Sequence, residues 1–149
     1  MNIEEIRTEL LGQHADLRRM IEEVQRSVRQ IQQAQNAELD RELPARVQAL
    51  ARALREHNLR EEELLGNILP TIDAWGSVRK EIMEEQHAEH EQFTAALVAS
   101  ETWGDPARGR ETLMATLARV LEHMEREEKA FLNETLLRDD SVVADQFSG

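Results

Sequence analysis

The stretch REHNLREEELL (Arg55–Leu65) sets a histidine and a glutamate, His57 and Glu61, one helical turn apart. Residues with that spacing share one face of a helix. Read outward in both directions, the face is a hydrophobic seam: Val47, Leu50 and Leu54 come before the pair, and Leu64 or Leu65 and then Ile68 come after it. Its steps alternate between three and four residues, as in a helix that packs in a bundle. Two polar residues therefore stand at core positions. That is costly unless something satisfies them, and more costly if they are ionised.

The same interruption recurs elsewhere. Near the start the seam runs Ile3, Ile6, Leu10, His14, Leu17, Ile21, Val24, Val28, Ile31, with the histidine where an aliphatic residue is due. Near the end it runs Leu113, Leu117, Val120, His123, Glu127, Phe131, again a histidine and a glutamate one turn apart. Between them, Met83, His87, Thr94 and Val98 share one face, and His90 lies beside it with Phe93 and Leu97. Pro44, Pro70 with Gly76, and Gly104-Asp105-Pro106 with Gly109 punctuate the chain. They predict four helices, at about 2–34, 42–68, 77–100 and 106–137, the last capped by Asp105 with Pro106 in its first turn. Short connections between four such helices predict an all-α, up-down-up-down four-helix bundle over residues 1–138. Residues 139–149 read as a tail, loose or a short docking segment.

Composition narrows the chemistry. The 149 residues suffice for one domain with one core. The absence of Cys excludes disulfides, thiolate-bound zinc and iron–sulfur clusters, and the absence of Tyr excludes a tyrosyl radical and a tyrosine ligand. A net charge of −12 with only two lysines disfavours nucleic acid and anionic membrane as partners. The acidic, amphipathic start is not a signal peptide, and no run is long enough for a membrane span, so the expected location is the cytoplasm. Trp75 and Trp103 fall near helix ends and read as loop packing.

In a four-helix bundle the four interruptions meet near mid-height, so His14, His57, His87 and His123 converge with Glu61 and Glu127. A lone histidine in a seam is most often a satisfied core residue, and a lone HxxxE in so acidic a chain is most often a surface pair. One histidine on each of four helices, with two HxxxE pairs on seams, is much harder to obtain by accident. Four imidazoles and two carboxylates are too many donors for one tetrahedral zinc. They suit two ions of higher coordination number with positions left for a small molecule, iron first and manganese second. His90 reads first as a packing or supporting histidine, but either third-helix histidine can face inward, so His90, Glu91 and Glu128 are all further candidate ligands. Leu17, Leu54, Val120 and Met124 are expected to form an apolar wall that admits only small ligands. Arg18, Arg19 and Arg60 either orient carboxylates or solubilise the surface.

The run HNLREEELLGNILP from His57 resembles the second helix of hemerythrin-like, or HHE cation-binding, domains. HMEREEKAF from His123 resembles their last helix, IMEEQH ending at His87 their third, and His14 matches their first-helix ligand. The resemblance spans about residues 5–135. It implies a non-haem di-iron site in which Glu61 and Glu127 bridge, His14 and His57 cap one ion, His87 and His123 cap the other, and an oxo or hydroxo group completes the bridge. The oxygen carriers of the family have a second third-helix histidine where this chain has Glu91, and they end on HxxxxD rather than HxxxE. Both departures point to the carboxylate-rich relatives, in which Fe(III) is favoured over reversible oxygen carriage. The expected function is binding or reaction with a small oxidant, O2, H2O2 or NO. The alternatives are an iron or oxygen sensor without turnover and a metal-free interaction bundle. A ferritin-like site fits less well, because it needs two ExxH pairs and the chain has only Glu84–His87.

Overall fold

Asn2 begins the first helix with a capping box: its side chain accepts the amide of Glu5, and the Glu5 carboxylate accepts the amide of Asn2. The computed structural model describes residues 1–66, 76–99, 105–130 and 132. They form four helices and no strand: α1 (Ile3–Ala34), α2 (Ala37–Gly66), α3 (Gly76–Ala99) and α4 (Pro106–Ala130). Asp105 caps α4, accepting the amides of Ala107 and Arg108 on its carboxylate ahead of Pro106. α1 packs against α2 and α4, and α3 packs against the same two helices.

α2 starts five residues earlier than the punctuation suggested. Pro44 lies inside the helix and does not mark its beginning. The start is set by Asn36, whose side chain accepts the amides of Glu38 and Leu39. The proline removes the N–H that the Asp40 carbonyl would use, but both residues are on the exposed side, where water can replace it. Phe131, Ile68, the last residues expected for the fourth helix, both tryptophans and the tail lie outside the described residues.

The seams are buried as their periodicity requires, and they divide into two apolar clusters. The larger holds Leu17, Ile21, Val24, Val28 and Ile31 of α1, Val47, Leu50 and Leu54 of α2, Phe93 and Leu97 of α3, and Leu113, Leu117, Val120 and Met124 of α4. The smaller holds Ile6, Leu10, Leu65, Met83 and Leu132. On each helix the seam histidines and glutamates lie at the boundary between the two. α1 runs from the smaller cluster to the larger, α2 from larger to smaller, α3 from smaller to larger and α4 from larger to smaller. Arg7 adds a tie at the small end, donating from Nε to the Leu132 carbonyl at 3.0 Å.

The link between α1 and α2 is two residues long, and Gln35 in it adopts φ 47°, ψ 48°, donating its amide to the Ile31 carbonyl at 2.9 Å. A side chain with a Cβ is strained in this left-handed conformation, which glycine adopts freely. Gln35→Gly is expected to stabilise the fold by roughly 0.5–1 kcal/mol. The measurement is urea unfolding: the midpoint rises with the slope unchanged, and a lower midpoint would contradict this account of the link.

Candidate metal centre

Between the apolar clusters lies a layer made of His14, His57, Glu61, His87, His90, His123 and Glu127. His14, Glu61, His90, His123 and Glu127 are fully buried, while His57 is 4% and His87 7% exposed. Three groups bring donor atoms within 4.8 Å of one another and could hold a metal ion: His14 with His57 and Glu61; His90 with His123 and Glu127; and His87 with Glu61 and Glu127. The third group joins the other two through both carboxylates.

Every imidazole turns Nε2 into the layer. His57 Nε2 is 2.8 Å and His14 Nε2 3.5 Å from Glu61 Oε2, and His87 Nε2 is 3.4 Å from Glu61 Oε1. His90 Nε2 is 3.2 Å and His123 Nε2 3.5 Å from Glu127 Oε1. Three of the rings are held at Nδ1 by a hydrogen bond to a side chain of a neighbouring helix, and a fourth has a carboxylate nearby. His14 donates from Nδ1 to Glu128 of α4 at 2.8 Å, and His57 to Gln13 of α1 at 2.7 Å. His90 donates to Asn58 of α2 at 2.6 Å, and His123 Nδ1 lies 3.3 Å from Glu89 of α3. These outer contacts fall one at each packed pair of helices. With Nδ1 carrying the hydrogen, Nε2 carries the lone pair that a metal needs. Nδ1 of His87 is buried with no hydrogen-bond partner, and so is that of His123 despite the nearby Glu89.

The layer does not satisfy itself. Nε2 of His90 and of His123, Oε2 of Glu61 and both oxygens of Glu127 have no partner of hydrogen-bonding geometry among the described residues. His14 and His57 face each other Nε2 to Nε2 at 3.1 Å, although both donate outward from Nδ1. A buried polar atom left without a partner costs about 1–3 kcal/mol. Several together would offset much of the about 5–15 kcal/mol that holds a domain folded. A cation among these atoms removes the penalty, and the donor set fits one.

Protonation follows from burial and proximity. Burial works against the Glu61 carboxylate, but its contacts in the layer, a hydrogen bond with Glu127 first among them, outweigh it and hold its pKa well below the usual value. Burial and then the adjacent Glu61 carboxylate push Glu127 well above it. Burial, aided by His123, drives His90 down to about 2, and burial lowers His123 as well, so both stay neutral. Burial also opposes the charge on Glu128, but hydrogen bonds from Arg18 and His14 win and lower its pKa.

Six of the predicted ligands, His14, His57, Glu61, His87, His123 and Glu127, are brought together in the layer, and His90 joins them. Its spacing sets His90 off the Met83–His87–Thr94 face, which makes it a packing or supporting residue first and a ligand only second. In the structure α3 buries Met83, His87, His90, Phe93 and Leu97 together, a wider stripe than the sequence reading assumed. His87 sits with both carboxylates, and His90 fills the place beside His123 that the resemblance implied for His87. Glu91 is exposed and belongs to none of the three groups, and Glu128 faces the outer nitrogen of His14. The layer is therefore imidazole-rich, and the argument from extra carboxylates loses its support. Of the expected wall, Leu17 lines a cleft of about 380 Å³ that reaches His57, whereas Leu54, Val120 and Met124 are sealed in the larger cluster. Gln13, Asn58 and Glu89 were not anticipated, although each is adjacent in sequence to a layer histidine. Arg18 does orient a carboxylate, Glu128, and Arg60 binds Glu9.

No family model, no curated protein and no solved structure matches the chain. No described helix is long and apolar enough to cross a membrane.

Burial and the Glu61 carboxylate raise the Glu127 pKa in the metal-free chain, so a cation binding there competes with a proton. Metal affinity should rise with pH until Glu127 ionises freely, and binding should release about one proton per chain. Titration calorimetry in buffers of different ionisation enthalpy measures the number, and no buffer dependence would show that Glu127 is already ionised. In the metal-free chain His90 stays neutral at pH values where an unfolded histidine protonates, so between pH 6.5 and about 2 the unfolded state binds more protons. The His90 contribution to stability is therefore lost as pH falls below 6.5. A melting temperature that drops with acid in the parent, and drops less in His90→Gln, is the expected outcome.

Proposed function

We propose that the protein is a non-haem di-iron protein of the hemerythrin-like kind, which binds or reacts with a small oxidant (O2, H2O2 or NO) inside an up-down-up-down bundle. The alternating order of the two apolar clusters along successive helices supports that topology. The observation that carries the functional reading is the pair of His/His/Glu groups joined through Glu61, His87 and Glu127 in a buried layer. His14, His57 and Glu61 would hold one ion and His90, His123 and Glu127 the other. His87 would complete the second, and the two carboxylates would be shared. Two ions kept together by shared carboxylates supply electrons and a binding position for one small molecule.

The residues around the layer do the rest. Glu128, Gln13 and Asn58 hold the rings of His14, His57 and His90 in the tautomer that offers Nε2. The aliphatic clusters above and below would hold off large substrates, and clefts of about 380 and 320 Å³ reach His57 and His87. With Glu91 at the surface and His90 in the layer, five imidazoles accompany two carboxylates. That balance does not select irreversible oxidation over reversible binding. A second reading, an iron or oxygen sensor without turnover, is favoured by the position of the layer between the two apolar clusters: a change in the ions would be felt by both.

The test is metal content and an absorption spectrum on anaerobically purified protein, before and after air. About two irons per chain is expected, with charge-transfer bands appearing on oxidation. A folded chain that holds and takes up no metal would leave the metal-free bundle as the remaining explanation. Glu61→Leu separates the same two cases by stability. It lowers the melting temperature of the metal-loaded protein, whereas in a metal-free bundle replacing a buried charge by leucine stabilises, by about 1–4 kcal/mol.

A further inference from the structure

His87 differs from the other four imidazoles in two ways. Among the described residues its Nδ1 has neither a hydrogen bond nor an ion-pair contact of the kind Glu89 gives His123, and it lies on a cleft of about 320 Å³ between α2 and α3. The cleft rim carries Glu62 and Glu91, both exposed, with Arg55 alongside, so carboxylates outnumber the cation there. The other layer residue with any exposure, His57, borders the α1/α2 cleft, but Gln13 holds its ring at 2.7 Å. An ion on its way to the layer needs a donor that can reach outward and then turn in. Three rings are held through Nδ1 by hydrogen bonds, and His123 is fully buried with Glu89 beside its Nδ1. His87 can rotate without breaking a hydrogen bond at Nδ1.

We propose that the α2/α3 cleft is the loading route for a divalent cation, with Glu62 and Glu91 gathering the ion at the rim and His87 turning to carry it to Glu61 and Glu127. This rests on the metal-binding reading above and adds how the site is filled. The rim residues act on the rate of arrival. The buried donors fix what is finally bound.

The experiment is stopped-flow uptake of Co(II) by the full metal-free chain, read from the cobalt absorption, with final metal content measured separately. In the double variant Glu62→Gln/Glu91→Gln, uptake should slow about 3–10-fold and lose part of its salt dependence, with the final content unchanged. In Asp16→Asn/Glu56→Gln, which alters the rim of the α1/α2 cleft, the rate should stay within about two-fold of the parent. His87→Ala should also load slowly, and added free imidazole, small enough for the cleft, should restore the rate. If the α1/α2 variant is the slow one, or neither rim variant changes the rate, the proposed route is wrong. If the rim effect appears without imidazole rescue, His87 is a static ligand and the carrying step is overturned. If the parent chain takes up no cobalt, iron or manganese, the metal reading fails and the route fails with it.

Discussion

His14 and His57 meet nitrogen to nitrogen at 3.1 Å, each having already committed its hydrogen to an outer partner. Two lone pairs at that separation in a dry interior repel unless a proton or a cation lies between them. Much of the rest of the structure is organised around that conflict. Glu61 approaches the same pair, Glu127 approaches His90 and His123, and His87 stands between the carboxylates. No rotation of one side chain resolves all of these contacts at once, because the rings of His14, His57 and His90 are held from outside.

The fixing is itself a ring. α4 holds the imidazole of α1 through Glu128, α1 that of α2 through Gln13, and α2 that of α3 through Asn58. α3 places Glu89 beside the imidazole of α4. Each helix both presents a donor and steadies one on its neighbour. Sliding or rotating a single helix would therefore disturb two contacts. The geometry of the layer is thus set by the bundle itself, which would reduce the rearrangement that binding an ion requires.

Periodicity made the fold and most of the layer legible. The seam of α1 is buried almost residue for residue, and the interruption at His14 lands in the layer. What the sequence hid has specific causes. Pro44 looked like a boundary because proline usually breaks a helix, yet Asn36 caps the helix upstream and the lost hydrogen bond faces solvent. His90 was misplaced because α3 buries a broad stripe, and a single-face reading forces a choice between His87 and His90. Glu91 looked like a ligand by its one-turn spacing from His87, and it does line the same cleft, but at its exposed edge. The outer partners leave only adjacency as a trace: Gln13 with His14, Asn58 with His57, Glu89 with His90, Glu128 with Glu127. Adjacent residues on a helix point about 100° apart, so one faces the layer while the next reaches a neighbouring helix.

The layer also divides the hydrophobic interior unequally, with a long apolar slab on one side and a short one, Ile6, Leu10, Leu65, Met83 and Leu132, on the other. The short slab has little cohesion of its own. Its closure depends on the donors beside it being satisfied and on fastenings such as the one from Arg7 to Leu132. Amide hydrogens there should exchange with solvent in smaller openings than those of the long slab. Charge and redox state in the layer would then be read out as breathing at one end of the molecule while the other end stays shut.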